Sequence, residues 1–306
     1  MGYNTEIAMD INYLQERYVS PYTNFGFKRL FGNKTNKDLL ISFLNALLYK
    51  EQHVVDITYL RNDWKYMYDV YCENDKGEKF IVEMQKAEQQ FFKDRSVFYS
   101  TFPIREQALR GEWDYKLKAV YTIGILNFVF DENREDENYY HHEIKLMDIN
   151  KKEVFYDKLT FIYLEMPKFT KTETELETLF DKWMYVLKNL PRLMERPVAL
   201  QERIFERVFR VAEIAKFNKN ELVEYEESLK VFRDLNNVIN TAEQKGETRG
   251  EARGRAEGRA EGRAEGRAEG ERKKALDIAR NLKSSGLPVE DIAKFTGLTL
   301  KEISNL

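Results

Sequence analysis

The chain has 306 residues, 42% hydrophobic and 13% aromatic, with Lys+Arg 49 against Asp+Glu 52 and a net charge of −3. This composition excludes wholesale disorder, predicts about two domains, and requires any polyanion-binding surface to be local rather than global. One cysteine, Cys72, and three histidines, His53, His141 and His142, exclude an internal disulfide and a Cys/His zinc cage, and the longest strongly apolar stretch, 11 residues at 120–130, falls far short of the roughly 20 a membrane helix needs. The first residues, MGYNTEIAMDINYLQERY, are acidic and lack the apolar segment of a secretory leader, so a cytoplasmic protein is expected.

In chain order, residues 36–48 place Leu40, Phe43, Leu44 and Leu47 on one stripe, which predicts an amphipathic helix capped by Asn36. Strands are predicted at 54–60, 66–72, 79–85, within 120–130, and at 159–166, each β-branched or aromatic and bounded by turn residues. Between the third and fourth, residues 88–109 are predicted helical with an interruption at Pro103. Helix, three strands, long helix, strand is an α/β order. From 174 to 244 the spacing of Leu176, Leu179, Phe180, Trp183 and Leu187, and of Ile204, Val208, Val211, Ala212 and Ala215, predicts helices punctuated at Pro191 and Pro197.

From Gly246 to Gly270 a glycine recurs every fourth residue, ending in four copies of R-A-E-G. Period four stacks Arg on Arg and Glu on Glu, and each Gly costs about 1 kcal/mol of helix stability relative to Ala. The expectation is a solvated charged linker, or a helix that forms only when a Gly/Ala seam pairs it with another chain. Residues 272–306 predict two or three short helices with the apolar rhythm of a helix-turn-helix, Gly297 in the turn and Thr299 as a cap. Docking or oligomer packing and DNA contact are both open for this segment.

The chemistry concentrates in DVYCENDKGEKFIVEMQ, residues 69–85. Asp75-Lys76-Gly77 fits a three-residue hairpin loop with Gly in the left-handed position. If Asn74 pairs with Glu78, Asp69 lies opposite Glu83, with Cβ atoms of opposed residues about 5 Å apart, and alternation brings Gln85 to the same face. Tyr68, Val70, Cys72, Phe80, Val82 and Met84 then form the apolar core side. Two carboxylates so close favour a hard cation, Mg²⁺ or Mn²⁺, between them, and Gln85 could orient an attacking water. The plain alternative is two acids on the wet face of a half-exposed sheet.

TNFGFKRLFG (23–32), NKDLLISFLNALL (36–48), the 69–85 hairpin, FFKDRSVFYS (91–100) and LEMPKF (164–169) resemble the recombination-promoting nuclease and transposase family of the PD-(D/E)XK nuclease superfamily. The likeness extends to DKWMYVLKNL, the Gly-Arg-Glu repeats and the terminal GLPVEDIAKFTGLTLKEI. It implies an α/β, restriction-endonuclease-like core with a mixed central sheet flanked by helices, followed by an all-α C-terminal region. The implied division is a nuclease-like domain at 1–170, a helical subdomain at 171–244, a repeat linker at 245–271 and a helix-turn-helix-like segment at 272–306. It further implies a metal-dependent DNA endonuclease, with Asp69 and Glu83 matching the metal-binding acids and Gln85 standing where the superfamily more often has Lys. One departure is Asn24, where relatives carry Asp. Asn24 could offer its carbonyl to the site or simply cap the helix before Phe27, and a fold kept without efficient chemistry, as a nucleic-acid-binding or assembly protein, is the rival reading.

Secondary candidates for DNA contact are Lys65, Arg95 and Tyr99, each with a structural alternative: a solvated strand-end lysine for the first, bracing of the site for the others. A Phe91/Phe98/Phe102 stripe near them is expected to pack in the core. His141 and His142, beside the acidic loop DENREDEN, are expected on the surface and not as ligands. DNA is the expected partner, a homo-oligomer through the repeat or the C-terminal helices is an option, and no membrane is expected.

Overall fold

The computed structural model describes residues 16–49, 53–60, 68–108 and 114–306. By internal contacts the chain divides into two units, 1–234 and 235–306. In the first, helices α1 (Asn24–Phe31) and α2 (Lys37–Leu47) precede strands β1 (Ile57–Tyr59), β2 (Val70–Asn74) and β3 (Lys79–Gln85). Helix α3 (Phe92–Glu106) then leads to β4 (Val120–Leu126), β5 (His141–Asp148), β6 (Glu153–Glu165), α4 (Leu179–Asn189) and α5 (Arg203–Ala212). The sheet has six strands in the order β1-β2-β3-β4-β6-β5. β3, β4 and β6 are parallel, whereas β1, β2 and β5 add antiparallel edges.

Parallel strands carry helices on both faces and so read as continuous apolar runs. All seven residues of β4 are buried accordingly. One face of the sheet, through Val70, Cys72, Phe80, Val82, Met84 and Ile123, packs on α1, α2, α4 and α5. Trp183 centres that layer, fully buried, with ring centroids 5.7, 5.9 and 5.3 Å from Phe31, Phe43 and Phe205. The other face is covered by α3, whose Phe92 joins Leu126, Phe130, Phe161 and Tyr163. The α/β order read from the sequence is therefore the fold: a mixed sheet between helical layers, with an all-helical carboxyl-terminal part.

Several local expectations change. Asn36 holds the N-cap position of α2, but its amide donates to the Arg29 carbonyl instead of capping. Pro103 does not interrupt α3. A proline removes the N–H owed to the carbonyl four residues back. That carbonyl, Tyr99 O, accepts the Tyr68 hydroxyl at 2.9 Å, which replaces the missing donor. Tyr68 is thereby drawn to the α3 side, its ring tilted against Tyr71 and edge-to-face with Tyr99, and not to the core side with Val70; it precedes β2, so strand alternation does not bind it. Phe91 and Phe98 are exposed, because the buried stripe of α3 is Phe92, Ser96, Ser100 and Pro103.

His142 is buried, against the expectation of a surface residue. It sits in β5 opposite Tyr163, with Nε2 3.4 Å from the Glu165 carboxylate. Glu165 is fully buried, accepts the Phe130 amide at 2.8 Å and pairs with Lys168 at 2.8 Å. Burial pushes its carboxyl up, but Lys168, the Phe130 amide and His142 together hold it below the usual range.

Helix α6 (Lys219–Ser284) carries the repeat, which is helical and exposed throughout 245–271. Its i,i+4 pairs, Glu251 with Arg255 and Arg253 with Glu257, fall where the repeat starts out of phase and opposite charges do face each other. Within the second unit, α7 (Val289–Thr296) and α8 (Leu300–Ser304) fold against the end of α6 around Ala279, Ile292, Leu298 and Ile303. Gly297, at φ 69°, ends α7 in the left-handed conformation a side chain would resist, and Thr299 caps α8 reciprocally with Glu302.

Candidate active site

The β2–β3 hairpin sets the site. Gly77, at φ 79°, closes a three-residue loop in which Asn74 N donates to Glu78 O at 3.0 Å. The Asn74 side chain locks the turn by accepting from the Lys76 and Glu78 amides. The resulting register pairs Val70 with Val82 and Tyr71 with Ile81. Carried one residue further, it sets Asp69 across from Glu83, at the end of the sheet where β2 begins and β3 finishes.

Asp69 Oδ2 accepts the Met84 amide at 2.9 Å, which fixes its carboxylate against β3. Burial raises its carboxyl above the usual range, offset in part by the Met84 amide and the charges of Lys28 and Lys86. Glu83 is 8% exposed, and burial followed by the Asp69 charge pushes its carboxyl up to about 7. Gln85 Nε2 donates to Glu83 Oε2 at 2.6 Å, while Gln85 Oε1 accepts from the Arg95 guanidinium at 2.8 Å. Arg95 also reaches Gln89 and lies over the rings of Phe92 and Tyr99. Glu83, Gln85 and Arg95 thus form one hydrogen-bonded chain, with the Asp69 charge acting on Glu83.

The remaining candidates distribute around it. Tyr99 packs its ring against Tyr68 behind Arg95. Asn24 is exposed at the first turn of α1; the cap of that helix is Thr23, which accepts the Gly26 amide at 2.9 Å, so capping, one of the two roles read for Asn24, belongs to Thr23 instead. Lys65 lies outside the described residues. Two lysines passed over in the sequence adjoin the acids: Lys28, one helical turn after Asn24, and Lys86, the residue after Gln85. Both line a cleft of about 780 Å³ together with Asn24 and Lys34. Burial lowers the Lys86 ammonium below its usual range, with the Asp69 charge opposing that shift and the Lys28 charge adding to it. The available signal was the i,i+4 relation of Asn24 and Lys28 and the single step from Gln85 to Lys86.

Glu83 Oε1 is buried and has no hydrogen-bond partner among the described residues. An orphaned carboxylate oxygen facing a second carboxylate is a hard-oxygen donor set that suits a small divalent cation. No group of three His, Cys, Asp or Glu side chains converges among the described residues, so the protein would offer two acids, leaving further coordination positions to carbonyls and water.

No curated protein and no solved structure matches the chain. A family model described as PD-(D/E)XK nuclease family transposase matches residues 21–242. Nucleases of this type generally use divalent metal ions and act on DNA. The match takes in the whole sheet, the β2–β3 hairpin with its two acids, and the first turns of α6, and the chain belongs to the PD-(D/E)XK nuclease family transposases.

Proposed function

We propose that the protein is a DNA endonuclease of the recombination-promoting nuclease type, hydrolysing phosphodiester bonds with Asp69 and Glu83 as metal ligands and Glu83-Met84-Gln85 as an E-x-Q form of the motif. The observation that carries this reading is Glu83, a buried acid raised to about 7 beside a second acid, with one oxygen unsatisfied. Bound by these carboxylates, Mg²⁺ or Mn²⁺ supplies Lewis-acid polarisation of the phosphodiester and a lowered pKa for water. Asp69 is held ready by the Met84 amide. Gln85 is oriented from both ends, so its second amide hydrogen has a fixed direction in which to hold an attacking water. The amide is neutral and contributes no positive charge. Arg95 fixes Gln85 and acts as a positioning residue.

Supercoiled plasmid incubated with the purified protein should be nicked or linearised in Mg²⁺ or Mn²⁺ and left intact in EDTA. Asn24 favours a second reading, a nucleic-acid-binding or assembly protein with weak chemistry, since an exposed amide stands where relatives carry an acid. Salt-sensitive binding with plasmid intact in every metal would select that reading. A cytoplasmic setting is supported by the one thiol, Cys72, buried and free, and self-association through the repeat is supported by its exposed glycine stripe. Among the described residues no helix is long and apolar enough to cross a membrane.

A further inference from the structure

Several lysines of the first unit are committed to carboxylates: Lys79 to Glu73, Lys37 to Asp56, Lys182 to Glu202. Lys28 and Lys86 differ. Among the described residues neither makes an ion pair or a side-chain hydrogen bond, yet their charges act on each other and on Asp69. Two ammonium groups set together, one of them half-buried, repel unless an anion lies between them. The Asp69 charge acts on both, and a metal ion on Asp69 would take up that compensation. The cleft they line is large enough for a nucleotide, and Lys86, which directly follows Gln85 at the end of β3, ties it to the strand that carries Glu83.

We infer that Lys28 and Lys86 are a phosphate-holding pair, gripping the DNA strand next to Asp69 and supplying the positive charge that the neutral Gln85 does not. This rests on the nuclease reading for its substrate. A lysine ammonium suits the task as a compact charge that follows a phosphate without demanding bidentate geometry. The opposite wall of the cleft is acidic. Glu221 there is neutralised by Arg29, but Glu224 and Glu227 are exposed and without an ion pair among the described residues. They oppose the strand, so their neutralisation should tighten binding.

The test is the salt dependence of binding to a short DNA duplex, using the full-length protein with Ca²⁺ in place of a cleavage-supporting ion. Removing one side chain that neutralises a phosphate lowers the slope of log K against log salt by about 0.9, so Lys28→Ala with Lys86→Ala should lower it by about 1.8 and Lys28→Ala alone by about 0.9. The double arginine variant should keep the wild-type slope. Lys151→Ala, in the turn between β5 and β6, should also keep it, and Glu224→Gln with Glu227→Gln should bind more tightly at low salt. An unchanged slope in the double alanine variant, or a wild type that does not bind the duplex, overturns the inference. A slope that falls as expected in a protein that cuts no DNA in Mg²⁺ or Mn²⁺ leaves the phosphate pair standing and removes the nuclease reading. Cleavage that survives with an unchanged slope does the reverse.

Discussion

Glu83 is held where its charge is disfavoured, and stability should report it. With a carboxyl near 7 in the folded chain against the ordinary 4.5, the native state keeps a proton that the unfolded state sheds as pH rises between those values. The site therefore costs nothing below the lower value, destabilises the metal-free protein progressively as pH climbs to the upper one, and levels off above it at a cost on the order of 3 kcal/mol. Urea denaturation in EDTA should find Glu83→Gln about equal to wild type near pH 4 and more stable near pH 8, with a divalent ion closing the gap only for wild type. A less stable variant near pH 8 would mean the ionised acid is not penalised. Arg95 belongs to the same scale. It anchors the Gln85 carbonyl, so Arg95→Ala should cut the cleavage rate about ten- to a hundredfold through misplacement of the amide, with DNA affinity changed much less.

At the scale of elements, α3 depends on an outside donor. The Tyr68 hydroxyl serves the carbonyl that Pro103 leaves unsatisfied, so Tyr68→Phe should cost about 1–2 kcal/mol. In a Pro103→Ala background, where the helix regains its own N–H, the same change should cost much less; equal costs in the two backgrounds would deny the coupling. Trp183→Ala, which empties the centre of the helical layer, should cost about 3–5 kcal/mol by thermal or urea unfolding. The hairpin was legible in the sequence because Gly77 at the end of a three-residue loop allows one register, and the register fixes which residues oppose Asp69 and Tyr71. Strand β5 was not legible. HHEIKLMD, at the sheet edge, buries only His142, so no apolar alternation marks it, and with β5 went the burial of His142 against Glu165. Pro103 misled for a related reason: its repair comes from Tyr68, a residue whose position depends on tertiary structure. The lysine cleft was hidden likewise, since Lys28 and Lys86 are distant in sequence and come to line one cleft only in the folded chain.

At the scale of the whole chain, the family match ends at residue 242, before the repeat, and so covers the sheet and both acids but not the glycine stripe. A Cβ added at Gly258 or Gly262 meets nothing within 4 Å. Replacing both by Ala should raise helicity, worth about 1 kcal/mol per site, while leaving DNA cleavage unchanged. Lost self-association in that variant, read by light scattering, would place chain pairing on the glycine stripe. The central claim, that Asp69 and Glu83 together hold the ion for phosphodiester hydrolysis, is tested most directly by plasmid cleavage in Mg²⁺ and Mn²⁺ with wild type, Asp69→Ala and Glu83→Ala in parallel, each first shown to be folded. Cleavage by wild type alone is the expected result. Equal cleavage by all three would contradict the claim and move the chemistry elsewhere in the fold.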